Sequence, residues 1–453
     1  MPERVRRWLL GSGAHWLRWA ALRLLGLANV WRARRTPAAS ADVVRILLFH
    51  AFGMGGTIRT VLNLSGHLAQ GRHVEIISVV RTRDRPFFDV PPGVEVSTLD
   101  DRTREKTGVA GLLARLPSVL VPTTEPVYRS CSLWTDVLLV RCLRGLRGGT
   151  LITTRPALNL FAAAFAPPEV ITIGQEHRHL AAHKLALRKV ITRRYGRLDA
   201  LVTLTEPDRD RYAALLPHLP LACIPNALPA LGGGRASLEG RSAVAIGRLD
   251  RVKGFDLLIA AWRMVADRHP EWNLRIFGSG PWLGGLAAQI EEAGLEDKVF
   301  LMGRTDRVGE ELCRAGMFVL SSRSEGRPMV LLEAMSKGLP VVAFDCPTGP
   351  AEMIDDRVDG RLVPAEDVEG LARTICDLIE DDQARRELGA AAIRTAAAYD
   401  LSVIGREWDH LLDGLVEVRN RRARQTVAEP ASISEAPRAS ALRSEMPAES
   451  RPR

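Results

Sequence analysis

From residue 43 to about residue 417, apolar runs of strand length alternate with stretches of helical spacing. Val44–His50 reads as a first buried strand and Gly53–Gly56 as a glycine turn. Ile58, Val61, Leu62, Leu64 and Leu68 then recur at the spacing of one helix face, and Val74–Val80 predicts the next strand. This β–turn–α–β order is the unit of a doubly wound parallel sheet, whose strands are buried on both faces and so read as continuous apolar runs. Further strands are predicted at 150–154, 170–174, 199–204 and 221–225. Pro225-Asn226 and Gly232–Gly234 interrupt the pattern and predict a hinge. The pattern then restarts. A strand at 242–247, a helix at 254–268, a strand at 272–277 and a helix at 283–293 precede strands at 298–302, 316–321 and 339–344. A last helix, at about 402–417, carries Trp408, Leu411, Leu412 and Leu415.

A chain of 453 residues, 46% apolar and 25% charged, suits two soluble globular domains. The expectation is α/β, with two doubly wound Rossmann-like domains facing a central cleft. The N-terminal domain spans 42–226 and the C-terminal domain 227–400, and a final helix at 401–418 packs back on the N-terminal domain. A basic amphipathic extension covers 1–41. A disordered tail covers 419–453, where Arg, Ala, Ser, Pro and Glu dominate without apolar periodicity.

Charge changes this picture at the ends only. Residues 1–35 hold eight arginines against Glu3, a charge of +7, and residues 419–453 hold eight arginines against four glutamates, a charge of +4. Of the total of +9, the folded stretch 36–418 therefore carries −2. A nucleic-acid enzyme carries its positive charge on the folded surface, so no nucleic-acid partner is expected. The apolar runs within 8–31 are interrupted by His15, Arg18 and Arg23, which excludes a membrane span and fits a signal peptide poorly. Arg4, Arg7, His15 and Arg18 share one helical stripe opposite Leu9, Trp16, Leu17 and Leu24, the pattern of a helix lying on an anionic membrane surface. The alternative is a helix packed on the protein itself. Six cysteines, at 131, 142, 223, 313, 346 and 376, show no Cys-x-x-Cys spacing, so neither a zinc site nor a disulfide frame is expected. These features place the chain in the cytoplasm, at the inner face of the membrane if the extension binds lipid.

Three stretches at predicted strand ends carry chemistry, because ligands collect at the carboxyl ends of parallel strands. In Ser324–Met335, Glu325 stands in a loop shaped by Gly326 and Pro328, and Glu333 lies in the helix that follows. Amides at such a helix start can meet negative charge. In Gly247–Gly254, Arg248 and Lys253 offer a guanidinium fork and an ammonium to a diphosphate, although the order is not that of a Walker loop. In Phe277–Pro281, Gly278 and Gly280 form a turn that would let the chain approach a nucleotide. Glu325 as a plain helix cap, Glu333 as a solvated acid and 247–254 as a solvated basic turn are the competing structural readings.

Taken in order, Gly247-Arg-Leu-Asp with Lys253-Gly254, Phe277-Gly-Ser-Gly-Pro281, Ser324-Glu-Gly-x-Pro-x-Val-x-x-Glu-Ala-Met335 and Gly338-Leu-Pro-Val-Val342 resemble the donor half of glycosyltransferase family four. The N-terminal half resembles the family more loosely, through Gly55-Gly56, Glu176-His177 and Ile224-Pro-Asn226. The resemblance covers about 43–418. It implies the GT-B fold, transfer from a nucleotide sugar with retention of configuration, and no metal or other cofactor. It further implies that Arg248 and Lys253 bind the donor phosphates and stabilise the departing diphosphate, where charge develops in the transition state. Glu325 would contact the transferred sugar and Glu333 the ribose. Amides of Pro328–Val330, including Met329, would line the sugar and phosphate pocket, with Gly326 in the loop before them. Gly55 and Gly56 would let the N-terminal loop approach the donor. His177 would sit near the acceptor, or serve as a hydrogen-bonded structural histidine.

The partners implied are a UDP- or GDP-sugar and a glycan or lipid-linked acceptor. Arg327 stands where family members often carry an apolar residue, and could add a phosphate contact or point to water. Asp345–Glu352 is a longer, proline-rich form of the usual glycine loop. A nucleotide-sugar epimerase or hydrolase on the same fold, or a catalytically silent binding protein, are the other readings.

Overall fold

The computed structural model describes residues 42–347 and 349–428. The basic extension and the far tail, with the membrane helix expected there, lie outside them. The described chain forms two sheets in which every strand pair is parallel. The first holds β1 (Val43–Leu48), β2 (His73–Arg81), β3 (Val94–Asp101), β4 (Thr150–Thr153), β5 (Ile171–Gln175), β6 (Ala200–Thr203) and β7 (Leu221–Cys223), in the order β3-β2-β1-β4-β5-β6-β7. The second holds β8 (Ser242–Ile246), β9 (Asn273–Phe277), β10 (Val299–Gly303), β11 (Met317–Leu320), β12 (Val341–Asp345) and β13 (Arg361–Pro364), in the order β10-β9-β8-β11-β12-β13. Each sheet winds outward from its centre in both directions. The crossovers therefore diverge between β1 and β4 and between β8 and β11, and these switch points open crevices at the strands' carboxyl ends.

The central strands β4, β8, β11 and β12 are buried on both faces apart from an end residue, and β1 is buried except at Val43 and Arg45. Helices on the two sides give each domain two apolar clusters. Trp262, Leu258 and Phe344 centre one of those in the C-terminal domain, and Phe318, Leu332 and Met335 centre the other. Two edge strands escape the apolar pattern. β3 (VEVSTLDD) buries only Asp100 fully, and β13 is four residues long. The first strand ends at Leu48 rather than His50, because Phe49 and His50 already turn. The amide of Phe52 donates to Nδ1 of His50 at 3.0 Å.

The terminal helix, Leu401–Ala428, crosses back to the N-terminal domain. Ile404, Trp408 and Leu412 join Val61, Leu64 and Leu68 of the first helix, Gly56–Leu68, in one buried cluster. Trp408 is 1% exposed. Asp409 accepts from His67 at 2.8 Å and also pairs with Arg72, whose guanidinium reaches Asp413 at 2.9 Å. The helix runs ten residues beyond the expected boundary at 418, into the stretch expected to be disordered. The physical reason is local. No proline or glycine stands between Gly414 and Pro430, most of the residues there are good helix formers, and Glu417 and Arg421 face one another four residues apart at 3.9 Å. Among the described residues, no helix is long and apolar enough to cross a membrane, and none of the six cysteines is in a disulfide.

The N-terminal domain thus depends on a tryptophan from the far end of the chain. Trp408→Ala leaves a cavity beside Val61 and Leu64, and should cost about 3–5 kcal/mol. A downward shift of the first calorimetric unfolding transition checks this, and an unchanged trace would contradict it.

Candidate active site

The crevice between β8 and β11 is built by two strand-end loops, 247–254 and 321–328. Asp250 turns the first loop by accepting from the amides of Val252 and Lys253 at 3.1 and 3.3 Å. Gly254 follows at φ +62°, where a β-carbon would lie 2.0 Å from the Ser321 carbonyl oxygen. Only glycine allows this approach. Four hydrogen bonds then lace the two strand ends together. The Ser321 hydroxyl donates to the Lys253 carbonyl at 3.1 Å, the Arg323 amide donates to the Val252 carbonyl at 2.8 Å, and the Arg323 guanidinium grips both oxygens of Asp256 at 2.7 Å.

This lacing delivers Lys253 to Glu325. The ammonium donates to Glu325 Oε1 at 2.6 Å, and the Ser322 hydroxyl donates to the same oxygen at 2.6 Å. The Glu325 side chain is 8% exposed, so the pair is largely shielded from water. Beside it starts the helix Met329–Ser336, with Pro328 as its N-cap and no side chain capping its amides. A lysine and an uncapped helix start on one wall are groups that can meet negative charge. Behind them Glu333 accepts from Arg59 of the first helix at 3.0 Å, a bond between the two domains. Burial raises the Glu333 pKa, and Arg59 opposes that shift.

These groups line one cavity of about 380 Å³ between the domains. Of the residues singled out from sequence, Gly56, Gly247, Arg248, Lys253 and Glu325 line it, as do Pro328, Met329, Val330 and Glu333. Arg248 stands at the mouth, 73% exposed, with its Nε on Asp250 at 2.6 Å. Gly55 caps the first helix just outside. A β-carbon on Gly56 would meet nothing within 4 Å, so that glycine leaves open space rather than serving a contact within the protein. Arg59 and Asn63 also line the cavity and were not found from sequence. Both lie on the first helix, on the face away from its apolar stripe, and a search of that polar face beside Gly55-Gly56 would have found them. Among the described residues, no group of three His, Cys, Asp or Glu side chains is placed to hold a metal ion.

Gly278 and Gly280, Arg327 and His177 have surroundings that the sequence does not show. Gly278 and Gly280 do not line the cavity. Their absent side chains admit the backbone of 247–249 instead, since a β-carbon on Gly278 would lie 1.8 Å from the Gly247 carbonyl oxygen and one on Gly280 2.2 Å from that of Leu249. These glycines brace the 247–254 loop from behind. Arg327 also lines the cavity, and its guanidinium is held from within the protein. It donates to the Leu204 carbonyl at 2.6 Å and the Tyr399 hydroxyl at 2.7 Å, with its guanidinium over the Tyr399 ring. It fastens the Glu325 loop to the N-terminal domain. His177 is outside the cavity lining, but a β-carbon on Gly326 would lie 3.6 Å from its carbonyl oxygen, so the two loops face one another across the cleft.

The His177 loop hangs from a buried carboxylate. Glu176 Oε1 accepts from Asn159 at 2.9 Å and from Tyr195 at 2.5 Å, and its Oε2 lies 3.4 Å from His183. His177 Nε2 is itself buried without a hydrogen-bond partner. Burial, aided by the charge of Arg155, pushes its pKa down to about 4. The imidazole is neutral at pH 7.

Residues 236–395 match the model of the glycosyl transferases group 1. This stretch is a group 1 glycosyl transferase domain. It holds both cavity loops and Glu333. The chain is 39% identical over 391 residues to an exopolysaccharide phosphotransferase of Streptomyces coelicolor, a match that takes in 83% of this chain and 41% of that relative's length. It is also 26% identical over 369 residues to an uncharacterized glycosyltransferase of Haemophilus influenzae, covering 79% of this chain and 96% of the other. In fold, the group 1 domain and its N-terminal companion together resemble Staphylococcus aureus TarM, solved with fondaparinux, alpha-GlcNAc-glycerol and UDP. The TM-score is 0.68 at 16% identity, over 82% of this chain and 99% of TarM. The two parallel α/β domains are those of a GT-B fold.

The lowered pKa of His177 sets a pH dependence. The unfolded chain takes up this proton near pH 6.5 and the folded chain only near pH 4. The stability from keeping the ring neutral is present above pH 6.5 and is lost as pH falls toward 4. His177→Gln should therefore lose less melting temperature than the wild type between pH 7 and pH 4.5. Equal losses in both proteins would reject the buried neutral ring.

Proposed function

We propose that this chain is a retaining glycosyltransferase that moves a sugar from a nucleoside diphosphate sugar to a glycan or lipid-linked acceptor. One observation carries the reading. A lysine, held on a shielded glutamate, shares one wall of an interdomain cavity with an uncapped helix start, at the switch point of a parallel sheet. That arrangement suits a diphosphate and the sugar attached to it. The donor diphosphate would lie against Lys253 and the amides of Met329 and Val330, with Arg248 turning in from Asp250. When the anomeric carbon–oxygen bond breaks, negative charge grows on the leaving diphosphate, and cations fixed in advance lower that barrier. No metal is needed in this scheme. Glu325 would hold the sugar hydroxyls, Ser322 and Lys253 fixing its orientation. Glu333 would hold the ribose, its carboxylate steadied by Arg59. The open space at Gly56 would admit the donor from the N-terminal side. His177 would face the acceptor as a neutral hydrogen-bonding group. Residues 1–35 would hold the enzyme at an anionic inner membrane surface, where a lipid-carried acceptor lies.

The relative from Streptomyces coelicolor bears the name of a phosphotransferase, yet this chain spans about two fifths of it. Product analysis separates the possibilities. Incubated with a panel of UDP- and GDP-sugars and acceptors, the protein should release a nucleoside diphosphate only when acceptor is present. The glycoside formed should keep the donor's anomeric configuration by NMR. Release of a nucleoside monophosphate would mean sugar-phosphate transfer, and an isomerised sugar without acceptor would mean an epimerase.

Lys253→Ala and Arg248→Ala should each lower turnover at saturating donor on the order of 10²-fold, with unchanged circular dichroism. Near wild-type turnover in either variant would remove that residue from the leaving-group site. Turnover should also persist in excess EDTA. Loss on chelation, with recovery on adding magnesium or manganese, would overturn the metal-free scheme.

A further inference from the structure

The loop that carries His177 leads into a stretch of unusual charge. Residues 177–198 hold seven arginines and lysines and no aspartate or glutamate, within a folded region of net charge −2. Arg178, Lys184, Lys189, Arg193 and Arg197 are exposed, and among the described residues none of the five forms an ion pair. Most of them sit on or beside the helix Leu185–Arg194. Its local electrostatics work against it. Lys184 is the N-cap and the first turn holds no acid, so positive charge stands at the end where the helix dipole disfavours it. Lys184 and Arg188, Lys189 and Arg193, and Arg193 and Arg197 repeat like charges four residues apart. The positive field is strong enough to act on neighbouring groups. Beyond the effect of burial, Arg197 and Arg193 lower the Arg194 pKa, and Arg178, Arg211, His183 and Arg188 lower that of His179.

The stretch is also placed at the cleft. β5 ends at Gln175, so the loop 176–184 and the start of the helix lie at the carboxyl edge of the sheet. Arg188 ties the two together, donating to the carbonyls of His183 and Ala181 at 2.9 Å each. From Lys184 to Arg193 the helix spans about 14 Å.

We propose that this loop and helix are a binding surface for an extended polyanion, a chain bearing phosphate or carboxylate groups at intervals, whose end reaches His177 as the acceptor. The acceptor role rests on the transferase reading given above. A spaced row of cations suits successive charges along a polymer better than one headgroup. A bilayer is the poorer fit, because a helix lying on lipid needs apolar side chains beside its cations. Here Leu187 and Ile191 are buried in the domain, and Leu185, 66% exposed, is the one large apolar residue of the helix left outside.

The test uses the full chain and long-chain inorganic polyphosphate as the probe, at about 150 mM salt, where polyanion contacts are already partly screened. The variant Lys184→Glu/Lys189→Glu/Arg193→Glu should bind polyphosphate at least about tenfold more weakly, and the matching glutamine variant should fall between it and wild type. Arg421→Glu/Arg424→Glu, on the exposed end of the terminal helix, should stay within about twofold, which controls for general charge. Binding of UDP and GDP should not change in any of them. Polyphosphate affinity unchanged in both helix variants overturns the proposal. So does a loss confined to vesicles of phosphatidylserine and phosphatidylcholine, which would make the surface a membrane contact. Lost polyphosphate binding in a chain that releases no nucleoside diphosphate from any donor supports the surface and refutes the transferase reading.

Discussion

The cavity exists because the loops after β8 and β11 touch backbone to backbone. Gly254 is the point of contact. Its positive φ and the 2.0 Å that a β-carbon would leave to the Ser321 carbonyl oxygen exclude any side chain there. Were the loops to part by the width of a methyl group, Lys253 would lose Glu325, and the lysine would swing free at the cavity wall. Gly278 and Gly280 repeat the device one strand further out, where they admit the backbone of 247–249. The 247–254 loop is thus clamped between the ends of β9 and β11. A site that must hold charge in fixed positions before the reaction starts needs this kind of support from behind.

The Lys253–Glu325 pair contributes little to stability on its own, since withdrawing both charges from water roughly cancels their attraction. Its effect is positional. Glu325 Oε1 takes both Lys253 and Ser322, so the carboxylate is fixed and the ammonium is fixed by it. On the proposed reading, a phosphate arriving beside Lys253 would meet a cation that has already lost its freedom, and the ordering entropy would not be charged to binding. Arg248 is the opposite case, exposed and resting on its neighbour Asp250, free to turn. The interdomain bonds at Arg59–Glu333 and Arg327–Leu204 hold the two walls at a set spacing, one from each side of the cavity.

Sequence made the central strands, the break between the two sheets and the C-terminal cavity wall legible. Fully buried strands need unbroken apolar runs, and strand-end loops carry their chemistry within a few residues. The edge strands were not legible, because β3 faces solvent along one side and alternates weakly, and β13 is short. Arg59, and the partners of Arg327, were not legible for a different reason. Each acts on a partner more than a hundred residues away, Glu333 for one and Leu204 for the other, and no local pattern encodes such a contact. The glycines of Phe277–Pro281 are the converse case. The residues were correctly singled out as sites of close approach, but what approaches is the protein's own backbone.

Charge gives the same lesson at a larger scale. Summed over 36–418 the folded region is nearly neutral, and that sum hides a block of seven cations between His177 and Leu198, offset by acids elsewhere in the two domains. Composition averages over surfaces that lie far apart in space, whereas a ligand feels only the surface within a Debye length, about 8 Å at physiological salt. Where the fold sets the block decides what it can do. It follows β5, so the winding of the sheet carries it to the cleft edge, and the Glu176 network holds its first residue, His177, opposite Gly326. The same seven cations spread through the domain would leave the net charge unchanged and would face nothing in particular.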